Sequence, residues 1–148
     1  MTPDGPDPFD KNAADAITGA QHDVLVAWLR DAGDRLALRD WRIRVSTCEA
    51  ERDAIASSYI QDQGDEIWVA VERGFFHRPE RSRRHSLTHE LLHPHFQRVT
   101  RMAEKLLEHE LGNRTEAVIE AAVAEVEELS VDRLAWAISE WLPEVPEA

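Results

Sequence analysis

The sequence predicts an α+β domain in the order helix, three strands, three helices. Apolar residues recur at helical spacing from about Ala13 to Leu38, alternate with polar residues after Trp41, and return to helical spacing beyond Pro79. The 148 residues are enough for one hydrophobic core and too few for two of adequate size. Because residues 1–10 hold three prolines and three aspartates, we expect a flexible acidic tail over 1–12 and a single domain over 13–148.

The first half of the chain predicts a helix followed by three short strands. Gly33 is expected to break or bend the helix of residues 13–38. Trp41, Ile43 and Val45 alternate with polar residues, which is typical of a strand with one solvent-exposed face. The segments "AIASSYIQ" and "EIWVAVERGF" follow as further strands, and "QDQGD" between them predicts a hairpin turn.

The second half predicts three helices. Pro79 and Glu80 suit the first turn of a helix, and Pro94 should kink or end it, because a proline ring clashes with the carbonyl four residues back. A further helix is expected over about 100–111, stopping near Gly112. Asn113, with a glutamate three residues later, then resembles a capping box that opens a long helix to about residue 142.

Composition excludes several classes of protein. The formal charge of −12 argues against general nucleic-acid affinity. No basic start precedes an apolar run, and no window approaches eighteen apolar residues, so we expect a cytoplasmic protein with no membrane partner. Cys48 is the only cysteine, and we expect it to be a small residue of the core or of the surface. Any metal site must therefore use histidine and carboxylate ligands.

The stretch "LTHELLH" contains the motif HExxH. Its two histidines, His89 and His93, are four residues apart, about 40° of rotation on a helix, so both imidazoles could bind one ion. Glu90 lies one position further round, where it could reach a water on the metal. Leu87 and Leu91 fall on the opposite side of the helix, which can therefore face the core.

A third ligand is expected further along the chain. A catalytic zinc site uses three protein ligands and an open position. Glu128 and Asp132 form ExxxD on the last predicted helix, where Glu128 could complete the site and Asp132 could orient a ligating histidine. Glu125 and Glu127 are expected to be solvated, although either could replace Glu128 in another helix register. Three small residues beside this face would let the helix approach the metal: Ala121, Ala124 and Ala135.

HExxH followed by ExxxD on a later helix resembles the gluzincin, or thermolysin-like, zinc metallopeptidases. The short length and "LTHELLH…VEELSVDRLA" are similar to small phage-encoded and bacterial metallopeptidases, over about residues 41–142. The resemblance implies a minimal zincin-like core and one catalytic Zn²⁺ bound by His89, His93 and Glu128. It also implies that Glu90 is the general base and that Asp132 orients a ligating histidine by accepting a hydrogen bond from its other ring N–H.

The resemblance further implies a peptide or protein substrate, cleaved by a metal-activated water. The substrate would lie antiparallel to the strand just before the active-site helix, here about residues 67–71. Three residues are candidates for contacts with the substrate or with the oxyanion, His85, His95 and Tyr59, and His109 and Arg133 are further possibilities for the oxyanion. His85 extends the histidine stripe by one turn and could also replace a ligand, although a solvated position is the more frequent role for such a residue.

Two alternative functions stay open at this point. The chain could be a zinc-stabilised binding or regulatory module without catalysis. It could also be a nucleic-acid-associated protease that uses the five arginines between Arg73 and Arg84. Pairing of these arginines with carboxylates of the same chain is the simpler interpretation of the cluster.

Overall fold

The structure is a computed structural model that describes residues 6–10, 15–61, 65–110 and 113–148, with side chains for all of these except 107–110 and 113–116. The described residues form an α+β fold with three helices and a three-stranded mixed sheet. The α+β class is the one that the sequence predicted. The elements are α1 (Gly19–Arg35), β1 (Arg42–Glu49), β2 (Ala56–Ile60), β3 (Glu66–Val71), a 3-10 turn (Phe75–His77), α2 (Glu80–Glu110) and α3 (Asn113–Ser139).

The sheet has the order β1-β3-β2, so β3 is the central strand. It pairs in parallel with β1 and antiparallel with β2. The prediction that a substrate pairs with residues 67–71 is therefore wrong, because both edges of β3 are already hydrogen bonded. β2 is the free edge beside α2 among the described strands, and strand addition requires such an edge.

Both faces of β3 are buried, which explains its continuous apolar sequence. One face, with Ile67, Val69 and Val71, packs under α1 and α2 in the main core. The other face carries Trp68 and Ala70. The main core includes the fully buried leucines of both helices: Leu25, Leu29, Leu87 and Leu91.

Helix α1 is shorter than predicted and is not broken at Gly33. It begins after Thr18, whose side chain forms a capping box with Gln21, and it continues through Gly33 to Arg35. Gly33 is buried, and a Cβ built there would lie 2.5 Å from Ile43 Cδ1. The glycine therefore serves the close packing of α1 against β1 rather than a bend.

Helix α2 runs without interruption from Glu80 to Glu110 with Pro94 inside it. Of the two outcomes predicted at Pro94, a kink or an end, the end is therefore wrong, and the described residues after the sheet form two long helices instead of three. Pro94 cannot donate to the Glu90 carbonyl, but Leu92 and Phe96 on either side of it pack against α3. Burial on both sides offsets the cost of the proline. The expected stop near Gly112 and the capping box at residues 113–116 lie outside the described residues or side chains.

Part of the predicted acidic tail packs against the sheet. Phe9 is buried with Cys48 and Trp68, and the Ser46 hydroxyl donates a 2.6 Å hydrogen bond to Asp7. This segment therefore covers the face of the sheet that the helices leave open. Cys48 is buried, which places it in the core rather than on the surface. Among the described residues, no helix is long and apolar enough to cross a membrane.

The segment after α3 is hydrogen bonded to α1 and α2, which holds the end of α3 against the rest of the domain. Trp28 Nε1 donates to the Pro143 carbonyl at 2.9 Å. Arg83, almost fully buried, donates to the Phe76 carbonyl at 2.7 Å and to the Val145 carbonyl at 3.0 Å. A buried guanidinium with two carbonyl acceptors is costly to truncate, because both acceptors would stay unsatisfied.

We expect Arg83→Ala to lower the free energy of unfolding by about 2–4 kcal/mol, since hydrogen bonds to charged groups contribute about 1.5–3 kcal/mol each. Arg81→Ala is the matched control, because Arg81 is largely exposed in its pair with Glu140 and should cost less than about 1 kcal/mol. Urea unfolding of both variants measures the difference. Equal losses would contradict the role assigned to Arg83.

Candidate metal centre

Helix α2 places the two motif histidines on one side and the core leucines on the other. Leu87 and Leu91 are fully buried in the main core, as the helical spacing predicted. His89 and His93 point towards α3, with their ring centroids 5.0 Å apart. Their side chains are 17% and 15% exposed, so both are reachable from solvent without being surface groups.

Helix α3 brings Glu128 between the two imidazoles. His89 Nε2 lies 3.3 Å from one carboxylate oxygen and His93 Nε2 lies 3.5 Å from the other. One ligand atom from each of the three residues falls within 4.8 Å of the others. Two imidazole nitrogens and a carboxylate that converge in this way could hold a divalent metal ion.

The group of His89, His93 and Glu128 is the part of this chain that invites comparison with known proteins. No protein-family model, curated protein or solved structure matches the chain. The resemblance to gluzincins therefore stays a prediction from the motif spacing.

The outer nitrogens of both histidines face carboxylates. His89 Nδ1 lies 3.7 Å from Asp132, and His93 Nδ1 lies 3.4 Å from Glu127. Such outer carboxylates fix the ring orientation and strengthen the other nitrogen as a ligand. Asp132 therefore lies near a candidate ligand, and its role in orienting that ligand stays a prediction.

Glu127 is the site residue that the sequence interpretation missed. Its side chain is only 16% exposed, and it accepts a hydrogen bond from the Thr100 hydroxyl as well as facing His93. The expectation that Glu127 is solvated is therefore wrong. Its spacing of four residues from Val131, which is fully buried, was a signal that it lies on the inner face of α3.

Burial favours the neutral form of His89. The pKa of its imidazole is lowered first by burial and then by the neighbouring His93, while Glu128 and Asp132 act in the opposite direction. A metal ligand must be the neutral imidazole. His89 is therefore in the form that could coordinate an ion near neutral pH.

Glu90 lies beside the three candidate ligands but not among them. Its side chain is 8% exposed, and the Ser58 hydroxyl donates to Glu90 Oε2 at 2.6 Å. Burial raises the pKa of this carboxyl to about 7, against the lowering effect of the Ser58 hydrogen bond. A carboxyl with a pKa near the working pH can both accept and return a proton.

The raised pKa of Glu90 should make the metal-free protein less stable at alkaline pH. An unfolded glutamate titrates near 4.5, so the folded state holds the proton more tightly and loses stability as the pH rises from 4.5 through 7. We expect Glu90→Gln to raise the free energy of unfolding by about 1–3 kcal/mol at pH 8 and by much less at pH 4.5. Urea unfolding of metal-free protein measures this. A difference independent of pH would contradict the burial argument.

The three residues predicted to contact the substrate lie in different parts of the structure. Tyr59 lies on β2, is half exposed and lines the same cleft as His89 and Glu90. His95 is exposed and lines a separate hollow with Pro94, so it is not part of this cleft. His85 is neither solvated nor in the cleft lining. It is mostly buried, its ring stacks on Trp136 at 3.9 Å, and its Nε2 lies 3.2 Å from Asp132.

The cleft has a volume of about 510 Å³ and runs between β2 and the two helices. Residues 55 and 61 flank β2: the Ile55 carbonyl accepts from Glu72 N–H, and Gln61 N–H donates to the Glu66 carbonyl, so the odd-numbered residues between them face β3 and the even-numbered ones face outwards. Backbone groups of Ala56, Ser58 and Ile60 therefore point to the outer edge beside the candidate metal centre, where the Ser58 N–H faces Glu90. An extended peptide could add to this edge.

The helix contact beside the site depends on fewer small residues than predicted. Ala135 is fully buried against α2 with Leu92 and Val131. Ala121 and Ala124 are exposed, so the prediction that they ease the approach of α3 is wrong. The buried contacts lie on the C-terminal side of Glu128.

Among the described residues, the side chains of four of the five arginines between Arg73 and Arg84 have partners. These contacts favour the structural interpretation of the cluster, and nucleic-acid binding through it stays a prediction. The pairs are Arg78 with Glu72, Arg81 with Glu140, Arg83 with two carbonyls, and Arg84 with Glu80 and the Leu142 carbonyl.

Proposed function

We propose that the chain is a zinc-dependent peptidase with a zincin-like site. The observation that carries this proposal is that the candidate metal ligands and the candidate general base are different side chains beside the same point of the cleft. Two imidazole Nε2 atoms converge on the Glu128 carboxylate, while the neighbouring Glu90 stays outside that group and faces the same cleft. A purely structural metal site has no need for a buried, proton-accepting carboxyl beside it.

The three candidate ligands suit zinc. Two histidines and one carboxylate are a set found in catalytic zinc sites, which keep the fourth position open. Zinc, when bound, would activate a water molecule and polarise the scissile carbonyl. Manganese or cobalt could use the same ligands, since the selectivity of such a site also depends on metal supply.

The chain's own groups supply the proton transfers. The Glu90 carboxyl, positioned by the Ser58 hydroxyl, would take the proton from the attacking water. The same carboxyl would return the proton to the leaving amine. Asp132 and Glu127 would keep the two imidazoles oriented during these steps.

The free edge of β2 would bind the substrate backbone. The outward backbone groups of Ala56 and Ile60 lie on either side of Ser58, whose N–H faces Glu90, so an extended peptide paired with them would pass Glu90. Tyr59, one of the predicted contacts, lines this cleft, and we propose it as the group that contacts the oxyanion.

The proposal is tested by incubating purified protein with a mixture of unfolded polypeptides and short peptides, then identifying new termini by mass spectrometry. Cleavage should stop after chelation and return when zinc is restored. Zinc binding without cleavage of any substrate would favour the non-catalytic zinc-stabilised module. Absence of zinc binding would remove both interpretations.

A further inference from the structure

Helices α2 and α3 contact each other through a row of polar and aromatic side chains that continues beyond the candidate metal centre. The members on each helix are four residues apart, so they form one stripe along that helix, and the two stripes run antiparallel. The members, here called the interhelical ladder, are Arg81, His85, His89 and His93 on α2 and Glu128, Asp132 and Trp136 on α3, with Glu140 directly after it. The candidate ligands lie at one end of the interhelical ladder, and the exposed pair of Arg81 and Glu140 lies at the other.

His85 is the member of the interhelical ladder to which the proposed chemistry gives no role. Its side chain is 13% exposed, and its ring stacks on the Trp136 indole with the ring centroids 3.9 Å apart and 23° between the ring planes. The Arg81 guanidinium lies 5.1 Å from the centroid of the Trp136 ring. Packing of this kind holds a side chain in one rotamer, so the two nitrogens of His85 have fixed directions.

One oxygen of Asp132 lies between two imidazoles. Asp132 Oδ1 is 3.2 Å from His85 Nε2 and 3.7 Å from His89 Nδ1. The Asp132 side chain is 48% exposed, and these two rings are the polar contacts of its carboxylate among the described residues. Because ordering a half-exposed side chain costs conformational entropy, the longer contact with His89 would by itself hold Asp132 only weakly.

The Nε2 atom of His85 is buried and has no hydrogen-bond partner among the described residues, although Asp132 Oδ1 lies within ion-pair distance of it. A buried N–H without an acceptor is unfavourable. A small turn of the half-exposed Asp132 side chain that aligns its oxygen with this nitrogen is therefore favoured. Such a turn keeps Asp132 between the two rings.

We propose that His85 is a positioning residue of the candidate metal centre, in which its Nε2–H holds the Asp132 carboxylate against the Nδ1–H of His89. The proposal rests on the proposed function, because it assigns His89 to the metal ion. A carboxylate fixed in this way keeps the proton of His89 on Nδ1, which leaves the lone pair of Nε2 for the ion. His85 contacts neither the ion nor the substrate, and its stack on Trp136 fixes its own orientation.

Zinc affinity of the full chain, measured by competition with a chromophoric chelator at fixed pH, tests the proposal. His85→Phe keeps the stack on Trp136 but removes the N–H, and it should raise the dissociation constant for zinc about tenfold, the lower end of the range for an outer partner of a ligating histidine. His85→Gln should recover most of this loss, because its amide can place an N–H near the same point. His95→Phe is the matched control and should leave the affinity unchanged, since His95 is an exposed imidazole of the same helix outside the cleft.

The same substitution in an Asp132→Ala background shows whether His85 acts through Asp132. In that background His85→Phe should change the zinc affinity by less than about twofold, because residues in one network have non-additive effects. An equal loss in both backgrounds, an unchanged affinity of His85→Phe, or no recovery by His85→Gln would each overturn the proposal. Circular dichroism confirms that the variants are folded, and His85→Ala replaces His85→Phe in the cycle if the latter does not fold.

The readouts separate this proposal from the proposed function. Nitrogen NMR spectra of the imidazoles should show a proton on His85 Nε2, and an unprotonated Nε2 would overturn the role of His85 whether or not the chain cleaves peptides. Zinc binding without cleavage would contradict the peptidase alone, and additive losses in the cycle would contradict the role of His85 alone. A wild type that binds no zinc would contradict both.

Discussion

The Glu90→Gln variant should retain zinc and lose peptidase activity by about 100- to 10,000-fold, the range typical of a general acid–base group. Glutamine has nearly the same shape and its carbonyl oxygen can still accept the Ser58 hydrogen bond, so the cleft should keep its structure. It cannot accept a proton from water at neutral pH. Zinc content after dialysis and the rate of peptide cleavage together measure the two effects.

Glu51→Gln is the matched control for this variant. Glu51 lines the same cleft but is exposed, and its side chain has no assigned role in the proposed chemistry. The control removes the same charge from the same cleft and should change the rate constant by less than tenfold, about 1.4 kcal/mol in the barrier. Comparable losses in both variants would show that cleft charge, rather than proton transfer by Glu90, supports the reaction.

Removing the charge of each of three neighbouring glutamates of α3 should change the zinc affinity by different amounts. Glu128→Gln should weaken zinc binding by more than about 100-fold, because it deletes one of three candidate ligands. Glu127→Gln should weaken it by about 10- to 100-fold, the range for an outer partner of a ligating histidine. Glu125→Gln should bind zinc like the wild type, since its side chain is exposed outside the candidate ligand group.

Zinc affinity is measured by competition with a chromophoric chelator at fixed pH. This series decides the helix register that the sequence left open, because Glu125 and Glu127 were both alternatives to Glu128. If Glu127→Gln abolishes binding and Glu128→Gln does not, the identity of the third ligand is wrong. Equal effects at all three positions would indicate a general electrostatic contribution instead of coordination.

The local pattern of apolar and polar residues was sufficient to predict much of the fold. The alternation at Trp41, Ile43 and Val45 predicted β1, and the unbroken apolar run of β3 follows from burial on both faces. The pair His89 and His93 was found because residues four apart on a helix share a face, and this relation depends on no distant contact. The geometry of a single helix or strand is therefore enough to predict which residues share a face, wherever the type of element is clear.

The same local rules were wrong where packing outweighs a propensity. A proline inside a helix costs about 3 kcal/mol or more, which favoured an end at Pro94, but Leu92 and Phe96 are held against α3 on both sides. Gly33 likewise looked like a break and is instead a point of close contact with Ile43. In both cases the deciding contact comes from a residue distant in sequence.

Sequence determined the identity and spacing of the groups that could bind a metal, since HExxH and ExxxD are properties of single helices. The convergence of Glu128 on His89 and His93, the burial of Glu90 beneath Ser58 and the placement of β2 as the free edge came from the tertiary structure. The physical reason is that helical periodicity fixes relations within one element. Strand order, burial and the approach of two helices are set by contacts between elements far apart along the chain.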